Sequence, residues 1–410
     1  MQSTTKKSVF ALIMILFLVG IIEGIAWTGL WWLEKNREIE YDPMEFKKMP
    51  SHQRKAIDRL INNKTRTTEF SRSLGWQPKQ SVNVSEGRFI TNSIRIRHDR
   101  EFAPKLPTDK VRISTFGDSF TAGIGVANSE TWQEQMMASN KNLEVLNFGV
   151  GAYGPDQAYL RYLENPLSQH IVAMGYLTEN LHRVISVYVP FYAGRNAHIP
   201  VTKPRFLIEN DELVLVPNPI QNKEGYTDLV TEYEQALRRF GKHDNYYNER
   251  YRASFFDFLG SVRLGKIAYY NFKDIPIYNQ RGEYNIESDA FRVTTGVFEA
   301  FREKVLAEGA LPVVVVFPTY PNVVYQHRHK QKKYRSLIQW LDKNGYVYLD
   351  LMDGLLGNLG DNKIIDMFLK DLHYGPLGHQ LVAKNLLAFI AEHKLEEPET
   401  RARLIAEMKK

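Results

Sequence analysis

Apolar residues cluster in two ways along this chain. From Val9 to Leu33 they run almost unbroken, VFALIMILFLVGIIEGIAWTGLWWL, with Glu23 the one ionisable group. At 1.5 Å per residue the run makes roughly 37 Å of helix, enough to cross a hydrocarbon core of about 30 Å with some tilt. Trp27, Trp31 and Trp32 gather at its C-terminal end, where an aromatic belt is expected at the headgroups. Lys6 and Lys7 before an apolar run also fit a secretory signal peptide. The run exceeds the usual length for one, however, and no A-x-A cleavage pattern follows, so an uncleaved anchor over 9–33 is predicted.

Further along, the apolar residues fall into short runs instead. VRISTF (Val111–Phe116), LEVLNF (Leu143–Phe148), IVAMGYL (Ile171–Leu177), LPVVVVF (Leu311–Phe317) and YVYLDL (Tyr346–Leu351) have the length and β-branching of strands buried on both faces. Between them lie segments of helical periodicity, one entered at Gly154-Pro155, others over about Val297–Glu308, Tyr334–Lys343 and Leu377–His393. The alternation predicts an α/β fold, a three-layer α/β/α sandwich of about five parallel strands, plus one N-terminal transmembrane helix. The gap between the third and fourth strands is far too long for a simple crossover. It holds a predicted hairpin, RFLIENDELVLV, with Asn210-Asp211 at the turn. The predicted organisation is a tail (1–8), the anchor (9–33), a charged stalk and N-terminal subregion (34–108), a domain (109–395) with an insertion at about 181–290, and a C-terminal tail (396–410).

Composition narrows the chemistry. The 410 residues include no cysteine, which removes disulfides, thiolate metal sites and a cysteine nucleophile together. A net charge of +6 spread over this length does not argue for nucleic acid. Lys6 and Lys7 precede the anchor while Lys35, Arg37, Lys47 and Lys48 follow it, so charge alone does not favour a cytoplasmic N-terminus. Glu23 facing lipid would cost about 2.5 kcal/mol or more. It implies a partner helix, from another membrane protein or from a bundle, unless it sits protonated near the interface.

In open α/β sheets ligands bind at the carboxyl ends of the strands. The first strand ends in Gly117-Asp118-Ser119-Phe120-Thr121-Ala122-Gly123, where a tight turn could expose a serine oxygen beside free backbone amides. By itself a GDS tripeptide reads more readily as a turn without chemistry. The second strand ends in Asn147-Phe148-Gly149-Val150-Gly151, the third in Gly175 to Asn180, and the last is followed by Asp371-Leu372-His373. A serine, a glycine amide, an asparagine and an acid–histidine pair on one sheet edge form a far more specific set than any member alone.

With these residues the chain resembles the SGNH, or GDSL, hydrolase superfamily from Val111 to about Ile390, the insertion excepted. The resemblance implies Ser119 as nucleophile, His373 as base, and an oxyanion hole of the Ser119 and Gly151 amides with the Asn180 side chain. The third block departs from the usual Gly-x-Asn-Asp. In the last block Lys370 stands where aspartate is usual, so Asp371, two residues before His373, is the expected third member, with Asp366 or a backbone carbonyl as alternatives. The stretch from Leu181-His182-Arg183 through Lys203-Pro204-Arg205-Phe206 is similar to a membrane-anchored branch found among bacterial envelope and polysaccharide proteins.

That resemblance implies a single-pass inner-membrane protein with a periplasmic or otherwise extracytoplasmic domain. Its expected activity is that of an esterase or O-acetyltransferase on acyl, chiefly acetyl, esters of an envelope or exported polysaccharide, with no cofactor or metal. A lipase or lysophospholipase, and a degenerate domain that binds glycan or scaffolds an export complex, are the competing readings. The basic run Gln326–Lys333 is expected to be a solvated face. Tyr226, Tyr246, Tyr247, Tyr251, Tyr269 and Tyr270 are expected in the insertion's own core more than on a sugar-stacking surface. His379 is expected on a helix face behind the site.

Overall fold

The structure, a computed structural model, describes residues 2–37, 48–85, 87–194, 196–273 and 276–409, apart from the side chains of 2–6, 248–249 and 270–273. Lys47 of the charge count and the side chain of Tyr270 therefore lie outside the described residues.

The five apolar runs form one parallel sheet of β1 (Val111–Phe116), β2 (Leu143–Asn147), β3 (Ile171–Leu177), β4 (Leu311–Phe317) and β5 (Tyr348–Asp350). Their spatial order is β2-β1-β3-β4-β5. Every residue of β1, β3 and β4 is buried, as a sheet covered on both faces requires. From β1 the chain moves one way to β2 and then returns past β1 to β3. That reversal is the switch point where a crevice opens beyond the carboxyl ends of β1 and β3.

Six helices matter below: α1 (Gln2–Arg37), α2 (Trp132–Ser139), α3 (Pro155–Leu163), α4 (Gly260–Lys273), α5 (Asp289–Ala307) and α6 (Pro376–Glu392). α3 and α5 pack together on one side of the sheet, α2 and α6 on the other. Helix α3 does begin at Pro155, whose missing N–H is no loss in a first turn. Helix α5 begins at Asp289, well before the predicted Val297. Ser288 caps it, its Oγ accepting from Phe291 N at 3.2 Å, a signal that apolar periodicity does not carry.

The hairpin pairs Arg205–Glu209 with Glu212–Val216, and Asn210 and Asp211 both take left-handed backbone (φ 50° and 63°), as a two-residue turn of the I′ type needs. It lies along α5, with Ile208 and Leu213 flanking Gly296. A fully buried ion pair of Lys203 with Asp156 ties the insertion to α3. Leu74, Trp76 and Ile96 from the N-terminal subregion, and Tyr226, Leu229 and Leu237 from the insertion, join one contiguous core with the sheet.

Within the C-terminal tail, Pro398–Met408 is a helix whose Met408 is buried, and Arg302 donates to Met408 O at 2.7 Å. Of the insertion's tyrosines, 226, 246, 247 and 251 are buried while Tyr269 is exposed. Among the described residues one stretch, Lys7–Asn36 within α1, is long and apolar enough to cross a membrane. Glu23 there meets donors within the chain, accepting from Gly260 N at 2.5 Å and from the Ser261 hydroxyl at the start of α4.

Candidate functional site

Ser119 opens a single helical turn, Ser119–Ala122, directly after β1. Asp118 caps that turn, its Oδ1 accepting from Phe120 N at 2.9 Å. The turn fits because glycines surround it. A Cβ on Gly117 would stand 2.2 Å from Thr121 Oγ1, and one on Gly149 would stand 2.3 Å from Ala122 N, so a side chain at either position would push the serine out of place. From the region read as a stalk, buried Arg97 reaches in and donates to the carbonyls of Ala122, Gly123 and Val126, satisfying the turn's C-terminal acceptors. Burial, with Arg88 nearby, lowers the Arg97 guanidinium to about 10.

Under Ser119 sits a charged support. Asp118 is fully buried, and burial raises its carboxyl above the ordinary range even though the Arg183 guanidinium, 3.4 Å away, works against this. Arg183 also donates to Tyr153 O at 2.8 Å and pairs with Glu179 at 2.5 Å. Sequence reasoning missed this arginine as a site residue. The signal available was its position one helical turn after Glu179, the spacing at which a carboxylate and a guanidinium meet.

The second loop departs from expectation in detail. Gly151 has room for a side chain, since the nearest atom to a Cβ there is 3.8 Å away. The left-handed residue is Ala152 (φ 66°), and the close approach belongs to Gly149. Gly151 still lines the cleft, and its N–H, like that of Ser119, makes no hydrogen bond among the described residues. Its carbonyl accepts from Trp76 Nε1 at 3.0 Å, which pins the loop from the N-terminal subregion. Asn180 is fully buried, is not part of the cleft wall, and has neither Oδ1 nor Nδ2 partnered among the described residues.

His373 is carried by a tight excursion between Phe368 and Tyr374, which face each other as an antiparallel bridge, closed by Leu369 N donating to His373 O at 2.7 Å. Leu372 takes left-handed backbone (φ 65°), a conformation costing an ordinary side chain roughly 1–2 kcal/mol. With that reversal, Asp371 Oδ2 comes within 3.1 Å of His373 Nδ1, although the angle is not that of a hydrogen bond, and Asp371 Oδ1 accepts from His373 N at 3.3 Å. Burial works to raise the Asp371 carboxyl, but the His373 backbone N–H and imidazole outweigh it and hold the carboxyl below its ordinary value. The alternative, Asp366, is occupied elsewhere, accepting from Lys363 N at 2.8 Å. Tyr374 locks the excursion to the loop just after β4 by donating to Pro318 O at 2.9 Å, and its ring packs on Phe120, beside Ser119. The His373 ring lies 5.4 Å from that of Phe120.

Ser119, Gly151, Asp371 and His373 thus line one cleft of 690 Å³. Its far wall is apolar and comes largely from outside the sheet: Ile57, Leu60, Trp76 and Phe89 from the N-terminal subregion, and Ile199 from the insertion.

No family model and no curated protein matches the chain. Among solved structures it is similar to a member of the lipolytic protein G-D-S-L family from Veillonella parvula DSM 2008, at 11% identity and a TM-score of 0.31 over 68% of this chain and 97% of that one. It is also similar to an alpha/beta hydrolase enzyme from the metagenome of Lake Arreo, Spain, at 13% identity and a TM-score of 0.35 over 68% and 95% of the two chains.

His379, at the start of α6, is buried behind the site with its Nδ1 unpartnered among the described residues, and is not part of the cleft wall.

Proposed function

We propose that this protein is a membrane-anchored, serine-dependent ester hydrolase or O-acyltransferase of SGNH type, acting on an acyl ester of an envelope or exported polysaccharide. The observation that carries the reading is the shared cleft: Ser119 at the end of β1 and the Asp371–His373 pair, brought together across more than half the chain, line one cavity. In the proposed reaction His373 takes the Ser119 proton as Oγ attacks the ester carbonyl. The tetrahedral oxyanion is met by the free N–H groups of Ser119 and Gly151, and the alcohol leaves with the proton from His373. Water or a sugar hydroxyl then attacks the acyl-enzyme with the same base, regenerating Ser119. Asp371 holds the imidazole and stabilises its charged form, and the buried, unpartnered amide of Asn180 is assigned as a third donor.

A fluorophosphonate probe tests this directly. Stoichiometric modification of Ser119 is expected, and an unmodified Ser119 in folded protein overturns the enzyme reading in favour of a binding domain.

The apolar far wall favours a second reading, a lipase-like enzyme, because an acetyl group fills only a small part of 690 Å³. Activated esters of acetate and of long-chain acids separate the two: a kcat/KM that rises with chain length selects the lipase-like reading.

A further inference from the structure

The loop that leads into α4 presents three phenylalanines to solvent. Phe255, Phe256 and Phe258 are 81%, 56% and 63% exposed, with ring centroids 5.2–6.5 Å apart. Their display is built rather than frayed. Between them Asp257 is buried, its carboxylate accepting from Ser254 N at 2.6 Å and Ser254 Oγ at 2.8 Å and pairing with Lys266 at 2.8 Å. Three large apolar rings held outward around a buried, paired aspartate make an apolar patch that water does not favour.

What covers the patch follows from what lies beside it. Helix α4 packs along α1, with the Arg263 guanidinium 5.0 Å from the Trp27 ring and Leu264 against Gly29. Gly260 abuts Trp27 so closely that a Cβ there would stand 2.9 Å from the indole. Val9 to Trp27 measures about 27 Å of helix, close to the hydrocarbon thickness, which puts Trp27, Trp31 and Trp32 at the headgroups. Glu23 then lies about 6 Å inside that level, and it is Glu23 that caps the start of α4. The phenylalanine loop, immediately before α4, therefore shares the depth of Glu23, within the roughly 5–10 Å to which interfacial elements sink. Arg263, beside Trp27, and Lys35, 5.0 Å from the Trp31 ring, fall at the level of lipid phosphates.

We propose that residues 254–263 form a second membrane contact, in which Phe255, Phe256 and Phe258 sit in the acyl boundary of the leaflet at the C-terminal end of α1 while Arg263 lies among its headgroups. The occupant of the patch is lipid. This rests on reading α1 as membrane-spanning. It also gives Glu23 its role: its carboxylate fixes the start of α4 against the anchor at that depth, and the donors it meets replace water.

The absence of cysteine makes the test direct. Full-length chain carrying Phe255→Cys, Leu16→Cys or Glu407→Cys, each labelled with an environment-sensitive fluorophore, is reconstituted into phosphatidylcholine vesicles containing phosphatidylglycerol. Quenching is compared for spin-labelled lipid and aqueous iodide. The Phe255 label is expected to be blue-shifted and quenched severalfold more by lipid than by iodide, as the Leu16 label is, with the Glu407 label showing the reverse. Iodide quenching at Phe255 with lipid quenching at Leu16 overturns the second contact and leaves the anchor standing. Iodide quenching at both positions overturns the anchor and the proposal together.

Discussion

The indole N–H of Trp76 donates to the carbonyl of Gly151 across 3.0 Å, joining a segment that reads as a charged stalk to a loop that lines the cleft. Tyr153, two residues further, returns a hydrogen bond from its hydroxyl to Trp76 O. The N-terminal subregion is thus a wall of the site. Trp76→Phe keeps one aromatic ring and loses the pyrrole ring with its donor, forfeiting about 1 kcal/mol of positioning from the hydrogen bond. A roughly fivefold fall in kcat on an activated ester is expected, with a parallel fall in the rate of fluorophosphonate labelling. Unchanged labelling would mean that the loop holds its place without the indole.

Ser119→Ala removes the proposed nucleophile from a turn whose geometry is set by Asp118, Arg97 and the neighbouring glycines. Turnover should drop by about 10³-fold or more while the thermal midpoint changes little. Wild-type turnover by the purified variant would remove Ser119 from the mechanism.

Asp371 and Asp366 were both open as partners of the imidazole, and only Asp371 stands beside it. Because Asp371 is largely exposed, Asp371→Asn should cost less than a buried triad carboxylate does, about 10²-fold at most in kcat. Asp366→Asn should leave kcat unchanged. Since the Asp371 carboxyl is held below its ordinary value, its pairing with His373 persists above the carboxylate range and is lost as pH falls through it.

Arg97→Met should destabilise the fold more than it perturbs any single contact, because the carbonyls of Ala122, Gly123 and Val126 lose their shared donor inside the protein. A loss of about 3 kcal/mol is expected. Chemical denaturation of the detergent-solubilised chain would read it as a lower midpoint, with reduced activity at temperatures where the variant is still folded.

Two histidines, His379 buried and His182 half-buried, set an acid limit on stability. Burial, reinforced by Arg97 and His373, holds His379 at about 3. Burial, with Arg250 adding to it, holds His182 at about 4. The unfolded chain takes up these protons near the ordinary imidazole value of 6.5, so it binds more protons than the native state below that pH. Stability is then lost as pH falls from about 6.5, each histidine contributing at most about 1.4 kcal/mol per pH unit. The thermal midpoint should fall between pH 7 and pH 5, and His379→Gln should flatten that slope. An unchanged slope would remove His379 from the effect.

The sequence alone determined the elements whose signal is local. The ends of β1, β3 and β4 were readable because continuous β-branched runs have one stable fate when both faces are covered. The turn at Asn210-Asp211 was readable because two adjacent left-handed residues call for those side chains, and the apolar length of 9–33 was legible because a bilayer sets a length. Ser119 stood out because it follows a strand end at the edge where α/β sheets bind ligands, and Asp371 and His373 because the resemblance calls for an acid–histidine pair after the last strand. Only the tertiary structure decided what required distant segments to meet. It put the close glycine approach at Gly149 and the left-handed residue at Ala152, because that choice depends on how near Ala122 comes. It buried Asn180 outside the cleft wall, made Arg97 and Trp76 of the N-terminal subregion into support and wall, and placed the start of α4 against Glu23. None of these leaves a periodic trace along the chain, since each is a contact between side chains or backbones far apart in sequence.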